Sequence, residues 1–153
     1  MTFAGLDVAA GMLDLVRVDF DTGKARWHHV DAGPKGWDTA RHMREHLPPA
    51  SWWDDVAVLA IERPMGHLTG VVWAQGLVIG AVLARVPESV LVQDYTAQEW
   101  HRALGLPSRA DKLATQAWAL NNGADHDWTE HACEALCVAH AAIRTNLLGS
   151  VAA

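Results

Sequence analysis

The chain has 153 residues, of which half are hydrophobic and a fifth are charged, and its formal net charge at pH 7 is −6. A chain of this length and composition buries a substantial core, so we expect a single domain over residues 1–153. The negative charge argues against a simple nucleic-acid binder, because contacts to phosphate require lysine and arginine. No charged segment precedes an apolar one at the start, so a secretory signal is not expected.

Two further features bear on localisation. The run 71–84 is apolar but contains Gln75, and its 14 residues fall short of the roughly 20 that cross a bilayer. Cys133 and Cys137 lie four apart on one predicted helix and are interpreted as small buried hydrophobic residues, because a zinc site would need further ligands. We therefore expect no membrane association and a cytoplasmic location, within a bacterial host if the protein is encoded by a phage.

The first part of the chain predicts three strands. An apolar run is followed by two segments in which apolar and polar side chains alternate, which is typical of strands with one buried face. Asp21, Thr22 and Gly23 form a short hairpin turn between the second and third strands. The predicted strands cover residues 2–9, 12–20 and 24–30.

The rest of the chain predicts five helices and two further strands. The helix over residues 70–85 is apolar on almost every side, which indicates burial in the core or a contact in an oligomer. Asp127 and Glu130 form a capping-box pattern at the start of the last helix. The helices are predicted over residues 37–47, 70–85, 96–104, 109–121 and 128–147, and the strands over residues 55–62 and 90–93.

This order of elements predicts an α/β fold. Apolar runs such as 55–62 are typical of central strands that are covered on both faces. We expect a mixed five-stranded sheet flanked by helices, in which the first three strands form an antiparallel meander.

Three carboxylates stand inside or at the edge of these apolar elements. Asp7 interrupts the first strand, Glu62 ends the fourth, and Glu134 lies among Ala, Cys and Leu in the last helix. Strand side chains alternate between faces, so Phe3, Gly5 and Asp7 share one side of the sheet. A carboxylate in such a place costs stability unless a cation pairs with it, and three from separate elements therefore suggest a metal site.

Several of these residues also have a purely structural explanation. Asp7 could flank a turn or accept buried hydrogen bonds, and Glu62 could form a salt bridge with Arg63 at the strand end. A histidine on a helix, such as His131, is often packed or solvated, and Lys112 could lie on a solvated face. The remaining acidic and histidine side chains are assigned to the surface, to turns or to caps: Asp14, Asp19, His28, His29, His42, His46, Asp125 and Asp127.

Four local motifs follow one another along the chain: Gly5-Leu6-Asp7-Val8-Ala9, then Ala60-Ile61-Glu62, then Gln75-Gly76 through Gly80 and Ala81, and finally Tyr95 through Lys112 with His131-Ala132-Cys133-Glu134-Ala135-Leu136. They resemble the Gly-Ile-Asp-Pro-Gly start, the Ala-Ile-Glu strand end, the Gln- and Gly-bearing helix and the Tyr, Lys and Asp-Ala-Leu pattern of the RuvC-type Holliday-junction resolvases. That family belongs to the ribonuclease H-like superfamily and includes a phage-borne branch. The resemblance covers nearly the whole chain and implies the ribonuclease H-like fold.

The resemblance implies that Asp7, Glu62, His131 and Glu134 hold two divalent cations, Mg²⁺ or Mn²⁺. Many relatives have Asp at the position of His131 and Asp rather than Glu at 134. An imidazole ligand shifts preference toward Mn²⁺, and affinity should fall below pH ~6.5 as the histidine takes up a proton. Two such cations carry four positive charges, which would change the net charge from −6 to −2.

The resemblance also implies contacts to DNA. Lys112 aligns with a family lysine near the scissile strand, and Arg109 and Arg102 could join it on the phosphates, with Arg63 beside the site in sequence. Relatives place an aromatic wedge in the loop after the fourth strand, where this chain has Met65. An apolar side chain of this kind inserts between bases in DNA-kinking proteins.

The function that follows is a metal-dependent, homodimeric endonuclease that cuts branched DNA and pairs its subunits through helix 70–85. A first alternative keeps the chemistry but changes the substrate to forks, flaps or RNA/DNA hybrids. A second is an inactive binding or assembly module of the same fold, which the acidic charge favours. A third is a nucleotide-binding ATPase or sugar-kinase relative with a similar Gly-x-Asp strand, although the chain is short for the two domains that flank the nucleotide there.

Overall fold

The structure is a computed structural model that describes residues 1–9, 12–31, 33, 35–64 and 69–151. Its strands are β1 Thr2–Ala9, β2 Met12–Asp19, β3 Ala25–Val30, β4 Val56–Glu62 and β5 Leu91–Tyr95. Its α-helices are α1 Trp37–His46, α2 Thr69–Leu83, α3 Ala97–Leu104, α4 Lys112–Leu120 and α5 Glu130–Val151.

The five strands form one mixed sheet in the order β3-β2-β1-β4-β5. The pairs β1–β2 and β2–β3 are antiparallel, whereas β1–β4 and β4–β5 are parallel. The predicted fold class is therefore confirmed, including the opening antiparallel meander. The central position of β1 places its carboxylate beside both β2 and β4.

Helix α5 packs directly against β1 on one face of the sheet. Phe3 of β1 and Leu136 of α5 lie in the same core cluster, so α5 covers the face of β1 that Phe3 and Gly5 share. Gly5 permits a close approach, because a Cβ built there would overlap the carbonyl oxygen of Ala135 and lie 2.8 Å from the amide nitrogen of Ala139. The absence of a side chain at Gly5 thus sets the distance between the sheet and α5.

Helices α1 and α2 cover the opposite face of the sheet. Leu6 of β1, Met43 of α1 and Val78 of α2 belong to this second core. Of the two interpretations of helix 70–85, complete burial in the core of one chain is wrong, because Trp73 of α2 is 45% exposed. It packs edge-on against Trp37 of α1, at 5.1 Å between ring centroids, and that ring is exposed as well.

Two predicted helix starts are corrected by the structure. Helix α5 begins at Glu130, and Thr129 caps it by accepting a 3.0 Å hydrogen bond from the amide of Ala132. The predicted box of Asp127 and Glu130 therefore does not form the cap. Helix α4 begins at Lys112, three residues later than predicted, because the side chain of Asp111 caps it through the amide of Ala114.

None of the helices in the described part of the chain combines the length and the hydrophobicity needed to cross a bilayer.

Candidate metal centre

The first turns of α5 bring two predicted ligands over the end of β1. His131 Nδ1 donates a hydrogen bond to Asp7 Oδ2 at 2.5 Å and lies 3.7 Å from Glu134 Oε2. One ligand atom from each of the three side chains lies within 4.8 Å of the others. His131 and Glu134 share a helix face because they are three residues apart, so the packing of α5 on β1 assembles the cluster.

Glu62 borders this cluster from the neighbouring strand. Its predecessor Ile61 is the register partner of Leu6, so Glu62 ends β4 at the level where Asp7 follows Leu6. Trp100 of α3 donates a 3.0 Å hydrogen bond from Nε1 to Glu62 Oε2 and is almost fully buried. The proposed salt bridge between Glu62 and Arg63 does not form, since Arg63 pairs with Asp94 at 2.5 Å.

The carboxylates of the cluster repel one another in a partly buried space. Burial raises the pKa of Glu62 to about 7, and the negative charge of Asp7 adds to the effect. Burial likewise raises the pKa of Glu134 to about 7, with the charges of Asp7 and Glu62 acting in the same direction. The hydrogen bond to Asp7 raises the pKa of His131 to about 9. Without a cation, the imidazolium of His131 offsets part of the negative charge.

A fourth carboxylate, Asp14, belongs to the same region and was not predicted there. The assignment of Asp14 to the outward side of the second strand is wrong, because its side chain is fully buried and its residue pairs directly with Asp7 across β1 and β2. Asp14 Oδ1 accepts from Trp27 Nε1 at 2.5 Å and from His29 Nδ1 at 2.9 Å. The surface assignment of His29 is corrected with it, as the ring is half-buried between Asp14 and Asp31.

The alternation of side chains along β2 indicates that Asp14 points inward. Asp14, Val16 and Val18 share one face of β2, and both valines lie in the core beneath α5. An acidic residue on the same face of a strand as two buried valines points inward. The antiparallel pairing with β1, which sets Asp14 opposite Asp7, required the three-dimensional register.

The basic residues predicted to contact DNA lie on the surface. Lys112 begins α4 and forms an ion pair with Glu130 at 2.5 Å, and its raised pKa owes most to that bond and a smaller part to Glu134. Arg102 and Arg109 are exposed. Arg63 is half-exposed in its pair with Asp94. Met65 lies outside the described residues.

The residues present fit a divalent cation. Asp7 and Glu134 have side chains that are 10% and 23% exposed, so both carboxylates are largely withdrawn from water. Carboxylate oxygens suit Mg²⁺ and Mn²⁺, and one imidazole nitrogen adds preference for Mn²⁺. Asp7, His131 and Glu134 would hold one cation, and Glu62, at the end of the neighbouring strand, would be the ligand for a second.

Comparison with known proteins agrees with this arrangement of the elements. The chain is similar to the solved structure of Thermus thermophilus RuvC, with a TM-score of 0.79 at 20% sequence identity over 97% of both chains. The chain has the RuvC fold. It is equally similar, at a TM-score of 0.79 and 19% identity over 97% of both chains, to T. thermophilus RuvC in complex with a Holliday junction substrate. At the level of sequence, no protein-family model and no curated protein matches.

The RuvC fold confirms the resemblance that the four sequence motifs indicated. The motif around Asp7 lies on β1, the motif around Glu62 ends β4, and the motif around Glu134 lies on α5. These elements are far apart in sequence and adjacent in the sheet and on its α5 face. The fold alone does not give the roles of individual side chains, which remain predictions.

Proposed function

We propose that the chain is a divalent-metal-dependent endonuclease that cuts branched DNA, with Holliday junctions as its substrate. The observation that carries the proposal is the convergence of Asp7, His131 and Glu134 within 4.8 Å at the end of β1. The carboxylates of Asp7 and Glu134 repel each other, and the imidazolium of His131 offsets only part of their charge unless a cation binds. A T. thermophilus RuvC of the same fold is seen with a Holliday junction substrate, which supports branched DNA as the substrate class.

The protein side chains prepare the site for a phosphodiester. A bound divalent cation would supply Lewis acidity there, polarising the phosphate and lowering the pKa of water. Asp7, Glu62, His131 and Glu134 would orient the cations, and Trp100 would hold Glu62 in place through its indole N–H. Because α5 and the sheet cover the carboxylates, water has limited access to them, and electrostatic interactions are stronger than at an exposed surface.

The exposed basic side chains offer contacts for the DNA backbone. Lys112 lies at the start of α4 and interacts with Glu130 of α5, beside the metal centre. We propose that a phosphate displaces Glu130 from Lys112 and that Arg102 and Arg109 bind neighbouring phosphates. Arg63 and Met65 follow β4 and belong to the same proposed surface, with Met65 as the wedge between bases.

We also propose that the protein acts as a cytoplasmic homodimer. The exposed aromatic pair of Trp37 and Trp73, together with exposed Val72, forms an apolar patch on the outer side of α1 and α2. A second copy packed on this surface through helix 70–85 would cover it and supply two metal centres for the two strands cut in a junction. Sedimentation velocity of the full chain, with and without junction DNA, measures the oligomeric state.

Cleavage of matched substrates tests the proposed function. The full-length protein is incubated at one salt concentration with a four-way junction, a replication fork, a flap, an RNA/DNA hybrid and a linear duplex, each with Mn²⁺, with Mg²⁺ or with EDTA. We expect cleavage of the junction above all other substrates, and none in EDTA. Faster cleavage of forks, flaps or hybrids would show that one of these is the preferred substrate. The proposed metal-dependent hydrolysis would still stand.

The acidic net charge of −6 favours one further candidate function, a binding module that has lost activity. In that case the protein binds branched DNA and cuts none of the five substrates with either metal. Thermal unfolding separates the two functions independently, because a cation that binds the folded state raises the melting temperature. No shift with Mn²⁺ or Mg²⁺ would support the inactive module.

The raised pKa values predict that the affinity for metal increases with pH. This increase should occur at higher pH than it would with a histidine of ordinary pKa. A cation requires ionised Glu62 and Glu134, whose pKa values are about 7, and neutral His131, whose pKa is about 9 in the metal-free protein. Protons therefore leave the site when the cation binds. Calorimetric titration with Mn²⁺ should give an affinity that increases from pH 6 to pH 8, with heats that depend on the ionisation enthalpy of the buffer.

The stability of the metal-free protein should change in the opposite direction. Raised pKa values mean that the folded state binds more protons than the unfolded state. The contribution of the glutamates is lost as pH rises from about 4.5 through about 7, and that of His131 from about 6.5 through about 9. The rise in melting temperature caused by Mn²⁺ should therefore grow from pH 6 to pH 8. A shift independent of pH, or one that falls, would contradict the assignment of these ligands.

A further inference from the structure

Asp14 lies at the centre of a hydrogen-bonded group beside the metal centre. Its side chain is fully buried, and Oδ1 accepts hydrogen bonds from Trp27 and His29, both on β3. His29 Nε2 lies 2.9 Å from Asp31 Oδ1, so the imidazole is held from both sides. Trp27 packs against Trp128 with ring centroids 5.9 Å apart. These contacts fix the orientation of the Asp14 carboxylate.

The second oxygen of this carboxylate has no partner. Asp14 Oδ2 is buried and, among the residues that the structure describes, accepts no hydrogen bond. A buried acceptor without a partner is destabilising, and a charged acceptor more so than a neutral one. Asp14 therefore has an unused acceptor, Oδ2, whose burial destabilises the metal-free protein.

The position of Asp14 indicates where the unused oxygen faces. β2 lies between β3 and β1 in the sheet, and both donors to Oδ1 are on β3. The two oxygens of a carboxylate diverge, so Oδ2 is directed away from the two donors on β3. The residue directly opposite Asp14 on β1 is Asp7, and the side chains of directly opposed residues project from the same face.

The charges around Asp14 do not cancel this negative charge. If His29 carries a proton, the set of Asp14, His29 and Asp31 still has a net charge of −1, because two carboxylates share one imidazolium. Like charges directly opposite on neighbouring strands are destabilising, and Asp7 and Asp14 form such a pair. The negative charge of Asp14 also contributes a minor part of the raised pKa of His131, after the effects of Asp7 and Glu134.

We propose that Asp14 is an additional oxygen donor of the metal centre, with Oδ2 as a further acceptor for the hydrated divalent cation held by Asp7, His131 and Glu134. The proposal rests on the proposed function, since it assigns a further residue to the same cation. Trp27 and His29 act as positioning residues, because their bonds to Oδ1 fix the carboxylate and leave Oδ2 without a donor from β3. This assignment gives the buried carboxylate the cation partner that the hydrogen bonds alone do not provide.

Calorimetric titration of the metal-free, full-length protein with Mn²⁺ tests the proposal. Loss of a group that supports a metal ligand typically lowers metal affinity by roughly 10- to 100-fold, and we expect at least a tenfold loss for Asp14→Asn. The matched control is Asp19→Asn, which removes the same charge from the same strand at its far end and should stay within about twofold of the unsubstituted protein. Thermal unfolding without metal verifies that both variants fold.

The outcomes separate this inference from the proposed function. If the unsubstituted protein binds Mn²⁺ and Asp14→Asn binds it within twofold, the inference is overturned and the proposed function stands. A structural role alone would lower the melting temperature of Asp14→Asn and leave the Mn²⁺ affinity unchanged. If the unsubstituted protein does not bind Mn²⁺, both fail.

A second measurement tests the proposal even if the Asp14→Asn variant does not fold. The indole N–H of Trp27 donates to Asp14, so its NMR resonance reports on that carboxylate. Titration of the unsubstituted protein with Mg²⁺ should shift this resonance with the same dissociation constant as the resonances of α5 near Glu134. A Trp27 resonance that stays in place while those of α5 shift would overturn the inference.

Discussion

Substitution Asp7→Asn should abolish junction cleavage and leave junction binding largely intact. Among the four predicted ligands, Asp7 contributes the most buried carboxylate, and it accepts the hydrogen bond from His131. Asparagine keeps the shape of the side chain but removes the charge that a cation requires. Loss of an outer-shell group already costs roughly 10- to 100-fold in metal affinity or activity, and a direct ligand should cost more than that.

Two assays on the same preparation measure this result. Single-turnover cleavage of a labelled four-way junction gives the rate, and electrophoretic mobility in Ca²⁺ or EDTA gives the affinity for DNA. The control Asp38→Asn removes the same charge from the exposed start of α1, where Asp38 faces Arg41, and should cleave at the unsubstituted rate. Full activity in Asp7→Asn would contradict the metal centre described above.

Substitution Gly5→Ala should destabilise the protein by about 3 kcal/mol or more, the upper part of the usual range for an overfilled core. The added methyl group would overlap the backbone carbonyl of Ala135, and backbone atoms cannot move aside as a flexible side chain can. Helix α5 would have to move away from β1, which would also separate His131 and Glu134 from Asp7. We therefore expect a loss of stability and a loss of metal affinity together.

Chemical denaturation and Mn²⁺ titration of the same variant measure both effects. Gly70→Ala is the matched control, because Gly70 lies in α2 and a Cβ there would meet no atom within 4 Å. That change should stabilise the helix slightly, by about 0.5–1 kcal/mol. If Gly5→Ala unfolded at the same denaturant concentration as the unsubstituted protein, the direct packing of α5 on β1 would be wrong.

The sequence predicted the sheet because its local patterns agreed with its long-range pairing. A short turn at Asp21 to Gly23 joined two alternating segments, and the continuous apolar run 56–61 required cover on both faces. The alternation within β1 also placed Phe3 and Gly5 on the side that α5 covers. These features depend on residues close together in the chain, which a single sequence displays.

Helix α2 and the start of α5 were predicted less well, for a shared physical reason. An apolar composition shows that a helix avoids water but does not show what covers it, and α2 leaves Trp73 exposed on its outer surface. Capping patterns overlap near residue 130, where both Asp127 and Thr129 could accept from a helical amide. In the structure Thr129 caps the helix. Only the three-dimensional path of the chain determines which of two nearby capping residues is used.

The candidate site was predicted in part. Asp7, Glu62 and Glu134 were identified because a carboxylate in an apolar element stands out in a sequence, whereas His131 was added only by the resemblance to the resolvase family. Asp14 did not stand out, since an acidic residue in an alternating strand is ordinarily taken for the solvated face. Its burial depends on which face of β2 lies beneath α5, and its pairing with Asp7 depends on the register of two strands.

A crystal soaked with Mn²⁺ and measured at its anomalous absorption edge tests the central claim most directly. We expect the anomalous peak between Asp7, His131 and Glu134, with any second peak beside Glu62, and we expect Asp7→Asn crystals to lose the first. Manganese bound elsewhere, or no peak among these side chains at saturating Mn²⁺, would show that the carboxylates serve the fold alone and that the nuclease assignment is wrong.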